Sequence, residues 1–224
     1  MTDRPRRVAF VHTVAGLVPQ FRELAVELLP GSETFDIVDE TLLREATAEG
    51  RVSLDVARRL FAHLAAAERH GADAIVVTCS SIGDVVDAAR PFANVPLVRI
   101  DQAMAEQAVE RGARIGVLAT LRSTLEPTAN LIRRSAAAAG RPVQVRDAVC
   151  EGAFEALRGG DTDRHDELVR DGLRGLLGWA DVIVLAQASM ARVVETLTAD
   201  ERHTPILSSP RLGMERVRAL LSPR

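Results

Sequence analysis

Short apolar runs alternate along this chain with stretches whose apolar residues recur at helical spacing, the pattern of βαβ units and a parallel sheet. In the first half the apolar runs predict strands near 7–12, 34–39, 73–78 and 97–100. The spacing between them predicts helices at roughly 18–29, 52–70, 81–90 and 102–111. The 52–70 stretch places Leu54, Val56, Ala57, Leu60, Phe61, Leu64 and Ala65 on one face, and Gly71 stops it. The second half repeats the plan, with strands near 114–119, 143–147, 181–186 and 205–207. Its helices are expected at 124–138, 150–158, 164–178, 189–199 and 211–221, with breaks at Gly140-Arg-Pro142 and Gly159-Gly160.

The similarity of the halves extends to the residues. Ala72-Asp-Ala-Ile-Val-Val-Thr-Cys-Ser-Ser81 matches Ala180-Asp-Val-Ile-Val-Leu-Ala-Gln-Ala-Ser189 at an offset of about 108 residues. Near that offset Arg7-Val-Ala-Phe-Val-His-Thr13 matches Arg114-Ile-Gly-Val-Leu-Ala-Thr120, and Pro96-Leu-Val98 matches Pro205-Ile-Leu207. The alignment sets Cys79 opposite Gln187. The expected fold class is therefore α/β: two pseudo-twofold-related lobes, each with a roughly four-stranded parallel sheet flanked by helices. The first lobe is expected from residues 1–101 with 208–224, the final helix crossing back, and the second from 102–207, with an active-site cleft between them.

Composition narrows the chemistry. The chain has 224 residues, a hydrophobic share of 47% and a net charge of −3. This charge points to neither nucleic acid nor an anionic membrane as a partner. There is no Lys and no Tyr. Without Lys there is no Schiff base, no lysine-bound pyridoxal phosphate and no Walker A loop. The low aromatic content argues against base-stacking modules. Two cysteines make neither a disulfide framework nor a zinc site. The N-terminus lacks a signal-peptide apolar region, and no apolar run approaches a membrane span. A cytoplasmic protein with reduced thiols is expected.

Ligands of open parallel sheets bind beyond the carboxyl ends of the strands. That rule collects His12, Thr13, Asp39, Glu40, Cys79, Ser80 and Ser81 from the first half. From the second it collects Thr120, Ser123, Thr124, Asp147, Cys150, Gln187, Ala188 and Ser189. Cys79 opens a strand-to-helix turn, where a helix N-terminus lowers a thiol pKa and holds a carboxylate; the alternative is a buried inert cysteine. Thr120 to Thr124, with Pro127 in the expected first turn, suits an anion cradle or ordinary helix capping. Asp39 and Glu40 suit a substrate amine or acid/base work, or else a solvated loop. Cys150 reads as a small buried side chain opening a helix, with a catalytic role as the alternative. The dispersed histidines suggest no metal.

At these residues the chain resembles the aspartate/glutamate racemase superfamily, which includes hydantoin racemases, maleate isomerases and arylmalonate decarboxylases. The resemblance rests on Val77-Thr-Cys-Ser-Ser81, Val184-Leu-Ala-Gln-Ala-Ser-Met190, Thr120 to Thr124 and the repeat. It implies two similar lobes and cofactor-independent proton transfer at a carbon beside a carboxylate or related carbonyl. In two-base members one thiolate removes the proton and a second thiol returns one from the opposite face. Cys79 matches the first cysteine; Gln187 stands at the second position, and an amide neither donates nor takes up a proton usefully. Three routes follow from the resemblance: another partner for Cys79 (His12, Glu40 or Cys150), Cys79 as sole proton donor, or covalent addition to an activated double bond. The implied catalytic residue is Cys79. The implied substrate-binding residues are His12, Thr13, Ser80, Ser81, Thr120, Ser123, Thr124, Gln187, Ala188 and Ser189. The reading is a racemase or isomerase of a small carboxylate. A decarboxylase of a malonate-like substrate and a non-catalytic ligand-binding relative are the alternatives. No cofactor, nucleic acid or membrane partner is implied, and a homo-oligomer is compatible with the reading.

Overall fold

The computed structural model describes residues 4–198 and 200–222. Residues 1–3, the predicted helix end at 199 and the last two residues of the 208–224 segment lie outside the described residues. The chain divides into two compact units, Met1–Ile100 with Pro210–Arg224, and Asp101–Ser209.

The first unit is built on a four-stranded sheet of order β2-β1-β3-β4: β1 Arg7–His12, β2 Glu33–Val38, β3 Ala74–Val77 and β4 Leu97–Arg99. Every pair is parallel. Val8 to Val11 and all of β3 are buried, as central parallel strands must be when helices cover both faces. The helices are α1 Val18–Leu28, α2 Glu40–Glu49, α3 Leu54–Arg69 and α4 Gly83–Ala89. One core lies among Leu42, Val56, Leu60, Leu64, Ile75, Val77 and Ile82. The other lies among Phe10, Phe21, Val76, Val98, Met214 and Val217. The last two residues belong to α9 Ser209–Leu221, so the C-terminal helix completes the first unit.

The second unit follows the same order, β6-β5-β7-β8, again all parallel. Its elements are α5 Gln102–Arg111, β5 Arg114–Ala119, α6 Arg122–Ala138, β6 Gln144–Val149, α7 Ala153–Arg158, α8 Thr162–Leu176, β7 Val182–Leu185 and β8 Ile206–Ser208. The repeated Ala-Asp dipeptide has a structural task at the amino ends of the strands. Asp73 Oδ2 accepts from the Arg7 amide at 2.8 Å, and Asp181 Oδ2 from the Arg114 amide at 2.9 Å. Each carboxylate thus latches the head of the third strand to the head of the first.

Three expectations are corrected. The segment after β2 is a helix, α2, rather than a loop. Asp39 caps it by accepting from the Thr41 amide, and Gly50 ends it at φ 65. The pattern hid it because only Leu42 and Ala46 are buried. Leu54 is not on the buried stripe of α3, which runs Val56, Leu60, Leu64 and Ala67; at the first helical position it is 74% exposed. The predicted helix after β7 is a nine-residue 3-10 helix, Ala188–Thr196, unusually long for that geometry. Among the described residues no helix is long and apolar enough to cross a membrane.

Helix α9 passes close to the end of β4 at Gly213, where an added Cβ would lie 2.5 Å from the Ile100 carbonyl oxygen. Alanine is the better helix former by roughly 1 kcal/mol, so an unpacked helix would gain from Gly213→Ala. The packed one is expected to lose about 1–3 kcal/mol by overpacking. Urea unfolding of parent and variant measures which sign holds.

Candidate active site

In an order 2-1-3-4 sheet the connections leave β1 and β3 in opposite directions, which opens a crevice at their carboxyl ends. His12 ends β1 and Cys79 stands just beyond β3. Cys79 is extended (φ −119, ψ 115) and precedes a 3-10 turn, Ser80–Ile82, that runs into α4. Ser80, Ser81 and Thr13 are all buried with it. Arg99 secures this segment from beneath. It is 1% exposed, pairs with Asp87 at 2.5 Å and Asp84 at 3.6 Å, and lies against Gly83.

Burial pushes the Cys79 thiol above its ordinary pKa, opposite to the depressed value expected from its place at a helix start. The Thr13 hydroxyl, the Ser81 and Ile82 amides and the Ser81 hydroxyl oppose that shift by aiming hydrogens at the sulfur. The Cys79 side chain does not act as a cap of the following turn. A thiolate, as the stronger acceptor, would draw on all four. The surroundings therefore keep the resting thiol protonated and hold donors ready for its anion.

His12 turns away from the role of a substrate ligand. It is fully buried, and both ring nitrogens are engaged. Nδ1 lies 2.9 Å from Thr78 Oγ1 and Nε2 lies 3.1 Å from Asp36 Oδ1. Asp36 Oδ2 is held in turn by Arg22 Nε and Nη2 at 2.9 and 2.8 Å. Burial lowers the His12 pKa, against the raising effect of Asp36. The sequence reading missed Thr78, Asp36 and Arg22; the available signal was a charged residue, Asp36, set between the apolar Phe35 and Ile37 of β2.

Asp39 and Glu40 have local partners. Burial alone would raise the Asp39 pKa. Hydrogen bonds from the Thr41 hydroxyl, His63 and the Thr41 amide, with the Arg59 charge, overcome this and bring it to about 2. Glu40 Oε1 accepts from the Ala15 amide at 3.0 Å, which ties α2 to the segment after β1.

In the second unit the same switch point is closed by the chain itself. Gln187 follows β7 as Cys79 follows β3. Its Oε1 accepts from the Thr120 amide at 2.6 Å, and its Nε2 donates to Thr120 Oγ1 at 2.7 Å. Thr120 matches Thr13 in the repeat, so both units pair the threonine after the first strand with the residue after the third. Ala188 and Ser189, half-buried, open the following 3-10 helix. Helix α6 starts at Arg122, two residues earlier than expected, which puts Ser123 and Thr124 inside its first turn and Pro127 beyond it. Asp147 lies within β6 rather than past its end. Cys150 packs in the core against α8, where a Cβ on Gly172 would meet its sulfur at 2.6 Å. Burial, then the Asp171 charge, pushes its thiol up to about 11. Among the described residues no cluster of His, Cys, Asp and Glu could hold a metal ion.

Two matching parallel sheets of one strand order, each with polar residues at its switch point, define a duplicated α/β class. The Asp/Glu/Hydantoin racemase family model matches residues 11–217, and the chain belongs to that family. A glutamate racemase isoform from Bacillus anthracis is similar in structure, with TM-score 0.76 and 18% identity over 98% of this chain and 82% of that one. An allantoin racemase from Klebsiella pneumoniae gives TM-score 0.67 and 19% identity over 96% and 87%. An aspartate racemase from Picrophilus torridus gives 0.70 and 13% over 96% and 94%. At these identities the likeness is one of fold. No curated protein matches the chain significantly.

The Asp39 contacts have a pH signature. Its pKa falls from 3.8 to about 2 on folding, so its contribution is complete above the unfolded value and is lost as pH falls through the folded one. Asp39→Asn is expected to cost about 2 kcal/mol at pH 6. The gap between parent and variant should close between about pH 4 and pH 2; denaturant titrations across that range measure it.

Proposed function

We propose that the protein is a cofactor-independent isomerase that transfers a proton at the carbon beside the carboxylate of a small molecule, with Cys79 as the acid/base. The observation that carries the reading is the Cys79 environment: a buried sulfur at the β1/β3 switch point, facing donors from Thr13, Ser81 and Ile82. A carboxylate bound there would be held by the hydroxyls and amides of Ser80, Ser81 and Thr13, at the start of the following helical turn. The binding residues assigned to the second unit are Ser123, Thr124, Ala188 and Ser189, with Thr120 and Gln187 joining them only where their mutual clasp opens. His12 is left out of the substrate contacts because both its nitrogens are taken. The chemistry needs a reduced thiol, which fits a reducing compartment such as the cytoplasm.

A second reading is favoured by the protonated resting thiol together with Gln187. In a decarboxylase, carbon dioxide leaves a malonate-like substrate and its bonding electrons remain as an enolate. The Cys79 S–H then delivers its proton to carbon, and the thiolate recovers one from water. Gln187, clasped to Thr120, supplies no proton to the other face in either reading.

Cys79→Ser should abolish turnover with the fold intact by circular dichroism; full activity would remove both readings. In deuterated water the product should take up label with one stereochemistry. Gln187→Cys, which opens the clasp and adds the mirror thiol, should confer exchange from both enantiomers. Equal exchange from both enantiomers in the parent would mean that another acid opposes Cys79.

A further inference from the structure

The hydrogen-bonded chain Arg22–Asp36–His12–Thr78 reaches the residue next to Cys79, and nothing in the proposed proton transfer uses it. Its geometry fixes its hydrogens. The Asp36 carboxylate can only accept, so His12 Nε2 carries the ring proton. Nδ1 is then an acceptor, and the Thr78 hydroxyl donates to it across 2.9 Å. The same hydroxyl lies 3.3 Å from the Val11 carbonyl, the acceptor it would turn to if His12 became protonated on Nδ1. The Thr78 amide donates to that carbonyl as well, at 3.1 Å. Thr78 is therefore pinned to β1 by its main chain and its side chain, and the next residue is the extended Cys79 that opens the helical turn.

The groups packed around the imidazole leave it little freedom. Phe10 stacks on it at 5.8 Å between ring centroids, and Phe21 of α1 tilts against it at 5.5 Å. Asp36 on β2 and Arg22 on α1 are the charged groups acting on it. From α9, Met214 and Val217 add only apolar surface to the core around Phe10 and Phe21. Asp36 is 8% exposed on its side chain and Arg22 is 65% exposed, so the chain runs from solvent to the switch point.

We propose that Thr78, His12 and Asp36 form a buried hydroxyl–imidazole–carboxylate triad, anchored by Arg22, that positions Cys79 for proton transfer. His12 and Asp36 are positioning residues: they act through Thr78 on the Thr78–Cys79 peptide, which sets where the sulfur stands relative to the Ser81 and Ile82 amides. This rests on Cys79 being the reacting group, but its test needs no substrate.

The rate of Cys79 alkylation by iodoacetamide, read by peptide mass spectrometry between pH 6 and pH 10, is compared in the parent, Thr78→Val, Thr78→Ser and Asp36→Asn. Loss of one hydrogen bond should change the Cys79 rate about two- to tenfold and move the midpoint of its pH profile. Thr78→Ser, which keeps the hydroxyl, should restore the parent profile, and Cys150 should be unaffected throughout. Unchanged Cys79 profiles in folded Thr78→Val and Asp36→Asn overturn the triad. Nitrogen-15 histidine spectra of the parent give a check independent of any variant: His12 should be neutral at pH 7 with its proton on Nε2. A proton on Nδ1, or a freely titrating imidazole, overturns it as well. Retained turnover in Cys79→Ser would instead sink the reaction assigned above, a separate result from either of these.

Discussion

The structure depends on a requirement of the central strands. β1, β3, β5 and β7 are buried on both faces, so their amides and carbonyls can be satisfied only by neighbouring strands. Parallel pairing meets this need, but each return to the same edge of the sheet then requires a crossover helix. With β1 and β5 central, the crossovers diverge to either side and leave a switch point at one end of each sheet. The carboxylates of Asp73 and Asp181 fix the opposite end, where they accept from the first strand's amides. One end of each sheet is thus closed by an ion-paired latch, and the other presents polar side chains.

At those polar ends the repeat was put to two uses. Around Cys79 the chain assembles hydroxyls and amides while excluding water, so two opposing effects act on one sulfur. Desolvation favours the neutral thiol, and the donors favour the anion. Desolvation prevails. Around Gln187 the donors are consumed within the chain. An anion seeking the Thr120 amide would have to displace two hydrogen bonds from Gln187, each worth about 0.5–1.5 kcal/mol net. The two strand ends are therefore chemically unequal even though their backbones match.

This inequality gives the family membership its content for this chain. A symmetric pair of thiols can remove and return protons on either face of a carbon. In this chain one of the two matched strand ends carries a thiol, Cys79, and the other carries the amide of Gln187, clasped to Thr120. The second cysteine does not restore the symmetry. Cys150 lies in the core beneath α8, with its thiol pushed up to about 11.

The sequence by itself determined the alternation of strands and helices, the duplication, the parallel sheets and the alignment of Cys79 with Gln187. Each of these follows from apolar periodicity or from direct residue matches, which are local signals. It did not reveal α2, because two buried residues in ten make too narrow a stripe to read. Nor could it say that Cys79 is desolvated, that Gln187 spends its amide on Thr120, or that His12 is joined to Asp36 and Thr78. Those contacts span 24 to 67 residues of chain. They exist because β1 lies between β2 and β3, and β5 beside β7, which is a matter of strand order. Only the tertiary structure fixes that order, because it is chosen by how both faces of the sheet are covered at once.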